Sequence, residues 1–128
     1  MMNRCVKILP LVAIFFTLSA NADVQLKDNS EILGKWNLHD EAVSLTSPKK
    51  PLTQEWEFRQ DGTLISSATD VAGRISELKI AIKYSIENGE IKKQVAPGRE
   101  KYETCKVIEK EGPNMILKCT YFFFLTKK

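Results

Sequence analysis

One histidine and three cysteines in 128 residues leave little material for metal or nucleophilic chemistry. His39 has no cysteine or second histidine at ligand spacing, which falls short of a zinc site, and no G-x-S-x-G, phosphate-binding glycine loop or H-E-x-x-H occurs. Its neighbours Asp40 and Glu41 do not help, because successive residues of a strand point to opposite faces and three in a row are not expected to converge. No catalytic residue, metal site or cofactor is therefore assigned, and an enzyme is not expected. Charge of one sign is equally scarce. The 19 basic and 16 acidic side chains are interspersed for a net of +3, which argues against a nucleic-acid binder.

Long apolar runs are also few. The longest, Ile8 to Leu18, follows Arg4 and Lys7, contains Pro10 and ends in Ser19-Ala20-Asn21-Ala22. It is much shorter than the roughly 20 residues that cross a bilayer, and the small residues at Ala20 and Ala22 fit the cleavage pattern of a secretory signal peptide. Residues 1–22 are thus expected to be a leader, and 23–128 an exported domain, periplasmic or secreted, without a transmembrane segment. The leader takes Cys5, Arg4 and Lys7 with it, which leaves 17 basic against 16 acidic residues. Cys105 and Cys119 remain, in a compartment where disulfides persist, and are expected to bond to each other.

What is abundant is short alternation with turn signals between. Residues 34–44, 54–60, 63–69, 77–87, 90–96, 100–110 and 114–126 read as about seven strands, with 70–76 supplying a short eighth or a turn of helix. Leu78, Ile80, Ile82, Tyr84 and Ile86 alternate with polar or small residues, so one face is apolar. Asn88-Gly89 signals a type I′ hairpin, which pairs Ile86 with Ile91, Tyr84 with Lys93 and Ile82 with Val95. A two-residue turn at Asp61-Gly62 pairs Phe58 with Ile65 and Trp56 with Ser67. A hairpin centred on Gly112 sets Cys105 opposite Cys119 and Val107 opposite Leu117, close enough for a disulfide. The two prolines of Thr46 to Pro51 are expected to forbid a central strand there. Consecutive hairpins with one apolar face make an all-β fold, a small antiparallel up-and-down barrel, with a two-sheet sandwich as the alternative.

Two stretches, Ile32-Leu33-Gly34-Lys35-Trp36 and Trp56-Glu57-Phe58-Arg59-Gln60-Asp61-Gly62-Thr63, resemble the small bacterial lipocalin-like domains, which open with G-x-W and often carry an apolar strand ending in D-G-T. The likeness extends more loosely over Tyr84 to Glu90 and Tyr121 to Lys128. It implies that Gly34 lets the chain pass close beneath the barrel. It also implies that Trp36 plugs the closed end against a basic side chain, Lys127 or Lys128. The chain is shorter than a full lipocalin and lacks the helix that follows the barrel, so side chains are an alternative filling for the interior.

The resemblance implies a non-enzymatic protein binding a small apolar or amphipathic ligand. Trp56, Phe58, Ile80, Ile82, Tyr84 and Phe123 would line its pocket. If a three-residue loop, Pro97-Gly98-Arg99, joins the next strand, Lys93 lies opposite Glu103 and the disulfide register adds Tyr121, so these three would meet the ligand's polar end; a two-residue turn at Pro97-Gly98 would part them. The alternative is a protein-binding envelope module, an inhibitor or toxin-neutralising protein with a solid barrel. For that reading, or for a homodimer, the outward face of the last hairpin presents Tyr102, Ile108, Ile116, Phe122 and Phe124 as an apolar strip, which residues 24–31 or 70–76 would otherwise cover.

Overall fold

The computed structural model describes residues 23–68 and 77–128. The expected leader and the segment 70–76 lie outside them. Eight antiparallel strands follow one another around a closed barrel: β1 (Gly34–Ala42), β2 (Lys50–Phe58), β3 (Thr63–Ala68), β4 (Leu78–Glu87), β5 (Glu90–Gln94), β6 (Tyr102–Glu111), β7 (Asn114–Lys118) and β8 (Phe122–Lys127). The all-β, up-and-down expectation is met.

The eighth strand comes from a place the alternation did not mark. The run read as one strand over 114–126 breaks at Cys119-Thr120-Tyr121, where Cys119 N–H donates to the Tyr121 carbonyl at 2.9 Å. The reason is global. In an up-and-down meander only an even number of strands lets the last run antiparallel to the first, and β8 closes on β1 through pairs such as Trp36 with Lys127 and Leu38 with Leu125.

Registers follow from turn chemistry. Asn88 at φ 55° and Gly89 at φ 80° occupy the left-handed conformations of a type I′ turn, and Ile86–Ile91 and Tyr84–Lys93 pair as expected. The ladder does not continue to Ile82 and Val95, because β5 ends at Gln94, whose side-chain carbonyl accepts from Lys83 N–H in place of a strand partner. The β2–β3 turn is one residue longer than expected. Only Gly62 has positive φ, Gly62 N–H donates to Arg59, and Thr63 N–H is held by the Asp61 carboxylate. Phe58 therefore pairs with Leu64 and Trp56 with Ser66, and Leu64, rather than Ile65, enters the core.

In the last hairpin two departures cancel. The turn holds two residues, Gly112-Pro113, and a bulge at Ile108 absorbs the offset, so Val107 still faces Leu117 and Cys105 still bonds to Cys119. Pro51 lies inside β2. It pairs with Asp40 of β1, and the β2–β3 ladder stops at Gln54–Ala68, so among the described residues this stretch has a neighbour on one side only, where a missing N–H is tolerated.

The β1–β2, β5–β6 and β7–β8 connections lie at one end, with the last residue of β3 and the first of β4. At the other, residues 24–33 cross beneath the barrel: Val24 pairs with Val107, Leu26 N–H donates to Gly89, and a single 3-10 turn, Asn29–Glu31, leads into β1. Leu26 and Ile32 are sealed there against Trp36, Phe58, Leu64, Ile91, Val107, Met115, Leu117 and Leu125. This is the closed end. It is the core of the molecule.

Candidate functional site

The closed end is built around Trp36. Its indole N–H donates to the Ile32 carbonyl at 2.9 Å, and the Lys127 ammonium donates to the Leu33 carbonyl at 2.6 Å while standing 5.3 Å from the Trp36 ring. Gly34, at φ 109°, lets this happen, since a Cβ there would collide with the Lys127 ammonium. Lys127, not Lys128, is the basic partner of the indole, and Lys128 instead reaches Glu55 on the outside.

Above this plug stands a chain of edge-to-face aromatic contacts. Tyr84, Phe58, Trp56 and Phe123 follow one another with ring centroids 5.1, 6.2 and 5.5 Å apart, a geometry that aromatic quadrupoles favour. Tyr84 points downward: its hydroxyl donates to the Arg59 carbonyl at 2.6 Å and accepts from the Asn29 amide. Burial pushes its phenol pKa up, only partly opposed by the Asn29 hydrogen bond. Tyr84, Phe58 and Trp56 are all buried. They fill the lower barrel and form a floor, so of the residues read as lining a pocket these three lie beneath it.

Over the floor the interior opens. Register places Ile82, Ile80 and Leu78 on the inward face with Leu64, Ser66 and Ala68, yet Ile80 is 39% and Leu78 54% exposed. Both side chains point into the barrel and still meet water. Leu52, Ile82 and Phe123 are half-buried around the same mouth. Clefts of about 530, 460 and 480 Å³ touch these walls at Leu52, Tyr84 and Ile82 respectively, and none of the three is lined by Trp56, Phe58, Ile80, Lys93, Glu103 or Phe123.

One side of the mouth is polar. The ammonium of Lys93 lies 2.7 Å from Glu103 and 5.5 Å from the Trp56 ring centroid, and Thr120 donates to the other Glu103 oxygen through its hydroxyl at 2.6 Å and its N–H at 3.1 Å. Burial would raise the Glu103 pKa, but the Lys93 and Thr120 hydrogen bonds outweigh it and hold the carboxyl below its usual range. The register that joins Lys93 to Glu103 is the expected one. The third member differs: Tyr121 sits at the tip of the β7–β8 turn, 47% exposed, and Thr120, itself exposed, reaches Glu103 instead. Thr120 carried one usable signal, being a hydroxyl residue beside a bridged cysteine.

His39 and Asp40 correct a second expectation. A bulge between Leu38 and Asp40 puts both on the outer face, a property of residues doubled against one partner. His39 Nδ1 lies 2.7 Å from Asp40 and Nε2 lies 3.0 Å from the Thr126 hydroxyl across the β1–β8 seam. Glu41 turns the other way, beside Phe123. Among the described residues no group of three His, Cys, Asp or Glu is placed to hold a metal ion.

The outward strip is largely roofed. Phe124 is buried, with the Lys49 ammonium 4.2 Å from its ring, and the Lys118 ammonium is 5.9 Å from Phe122. Ile116 faces Glu109 instead of Ile108, which is taken up by the bulge, and Tyr102 pairs with Gln94 instead of lying opposite Phe122. Residues 24–31 do not cover the strip, since they run beneath the barrel. No protein-family model, curated protein or solved structure matches the chain.

Proposed function

We propose that this is a non-enzymatic, exported, lipocalin-like barrel that holds a small apolar or amphipathic ligand in its mouth, above a solid floor. The observation that carries the reading is the exposure of Leu78 and Ile80 on the inward face over Trp56 and Phe123. Apolar walls with a few convergent polar groups are what a small-molecule site requires. A ligand's chain would lie on Ile80, Ile82 and Phe123, and its head would meet Lys93, whose three N–H donors are only partly used by Glu103.

The test is a fluorescence titration with dodecanoate in a Trp36→Phe background, which leaves Trp56 as the only reporter. A saturable change is expected, with Lys93→Met weakening dodecanoate about tenfold, the worth of one charge-assisted hydrogen bond, and leaving dodecanol nearly unaffected. No saturable signal with either amphiphile would overturn the reading. It would favour the second one, a protein-binding envelope module, for which the filled lower barrel speaks.

A further inference from the structure

The large apolar side chains exposed among the described residues are not scattered. Val43 and Leu45 lie in the β1–β2 loop, Leu78 and Ile80 at the start of β4, Val95 and Tyr102 on either side of the β5–β6 loop, and Tyr121 in the β7–β8 turn. In this topology all of these positions are at the open end. They form a collar.

Charge divides along the same axis. The described loops and strand ends of the open end carry Lys49, Lys50, Lys79, Arg99, Lys101 and Lys118 against Glu41, Glu77 and Glu100, while Lys93 and Glu103 cancel within the mouth. By the same measure the closed end carries Asp28, Glu31, Glu57, Asp61, Glu87, Glu90 and Glu111 against Lys27, Lys35, Arg59, Lys110, Lys127 and Lys128. A chain with little net charge thus has its basic excess where it is apolar, while the sealed end is nearly balanced.

We infer that the open rim docks on the surface of an anionic lipid bilayer. Interfaces between proteins are depleted in lysine, whereas near anionic lipid each lysine or arginine contributes favourably within a Debye length. Valine and leucine at loop tips insert shallowly among acyl chains, and tyrosine prefers the level of the headgroups. Val43 at 72% and Leu45 at 55% exposure, beside Lys49 and Lys50, combine both features in one loop. The closed end, which lacks this basic excess and the apolar collar, would be turned away, which sets the orientation. Docked in this way, the mouth opens onto the membrane.

Sedimentation with vesicles tests this on residues 23–128, which contain every strand, the segment beneath the barrel and the disulfide. The chain is expected to bind vesicles of phosphatidylcholine mixed with phosphatidylglycerol, to bind pure phosphatidylcholine weakly, and to be released by high salt. Arg99→Glu/Lys101→Glu should lower partitioning by at least about thirtyfold, since two cationic contacts are lost. Val43→Ser/Leu45→Ser should lower it about tenfold. The matched closed-end double variant Lys27→Glu/Lys110→Glu should stay within about twofold, because its charges lie farther from the surface than the Debye length. Rim variants that bind like the parent, or a parent that ignores anionic vesicles, would overturn the proposal, and in the latter case self-association or capture of a protein through the rim would assign the collar to a protein partner. The result is independent of the dodecanoate titration, because vesicle binding needs no ligand in the mouth.

Discussion

At the closed end Trp36, Ile32 and Leu26 are sealed by a chain segment that crosses under the strands, and Lys127 ties that segment to β8. At the open end Leu78 and Ile80 belong to the same alternating pattern, point to the same interior and remain in water. An identical strand rule thus produces a plug in one place and a mouth in the other. The difference lies in what crosses the opening. Backbone from residues 24–33 supplies the closed end with hydrogen-bond partners and apolar cover, whereas among the described residues the mouth is bordered by the Lys93–Glu103–Thr120 cluster.

The sharpest way to break the comparison is Trp36→Ala, which should cost about 3–5 kcal/mol as a cavity in a packed core, read by urea denaturation. An effect no larger than that of a mouth substitution would show that the plug does not hold the fold. Next comes the bridge that ties β6 to the β7–β8 turn. Replacing Cys105 and Cys119 by alanine should cost about 3 kcal/mol in the chain-entropy view of a loop of this length.

The polar cluster should show coupling. Lys93→Met leaves the Glu103 carboxylate half-buried without its partner and should cost about 1–3 kcal/mol, whereas Lys93→Met with Glu103→Gln should cost less than either effect added to the other. Additive losses in this cycle would remove the pair from the structure of the mouth.

The two ends should also part company with pH. Glu103 has a depressed folded pKa, so its contribution is complete above the ordinary carboxylate range and is lost as pH falls through that range toward the lower folded value. Tyr84 has a raised one, so its contribution holds below the ordinary phenol range and is lost as pH rises through it toward the folded value. Through these two groups, acid should weaken the polar cluster of the mouth and alkali the Tyr84 contacts of the floor. Denaturation midpoints across pH check this, since Glu103→Gln should flatten the acid limb alone and Tyr84→Phe the alkaline limb alone. The smallest stability effect belongs to the mouth itself: Leu78→Ser should change unfolding free energy by less than about 0.5 kcal/mol, as expected of a side chain already in water, while weakening dodecanoate.

Much of the candidate site was legible in the residues because hairpin chemistry is local. Asn88-Gly89 can adopt two left-handed conformations in succession, so it dictates Tyr84–Lys93, and Lys93–Glu103 follows through the next loop. The Cys105–Cys119 pairing was legible for a less secure reason, since a two-residue turn and the Ile108 bulge happen to cancel. His39 and Asp40 were missed because a bulge breaks the period of two on which strand reading relies, and nothing in Leu38-His39-Asp40 announces one. Thr120 was missed because the turn that aims it exists only where β7 must give way to β8.

The residues alone therefore determined the class of fold and about half of the pairings, because alternation and turn propensity act over a few positions, while the plug was indicated only by the resemblance that G-x-W carries. Tertiary structure decided the number of strands, the outward His39–Asp40 pair and which end stays open. Those depend on a ring having to close antiparallel and on a segment, residues 24–33, that crosses beneath one end of it, conditions that no short stretch of chain contains.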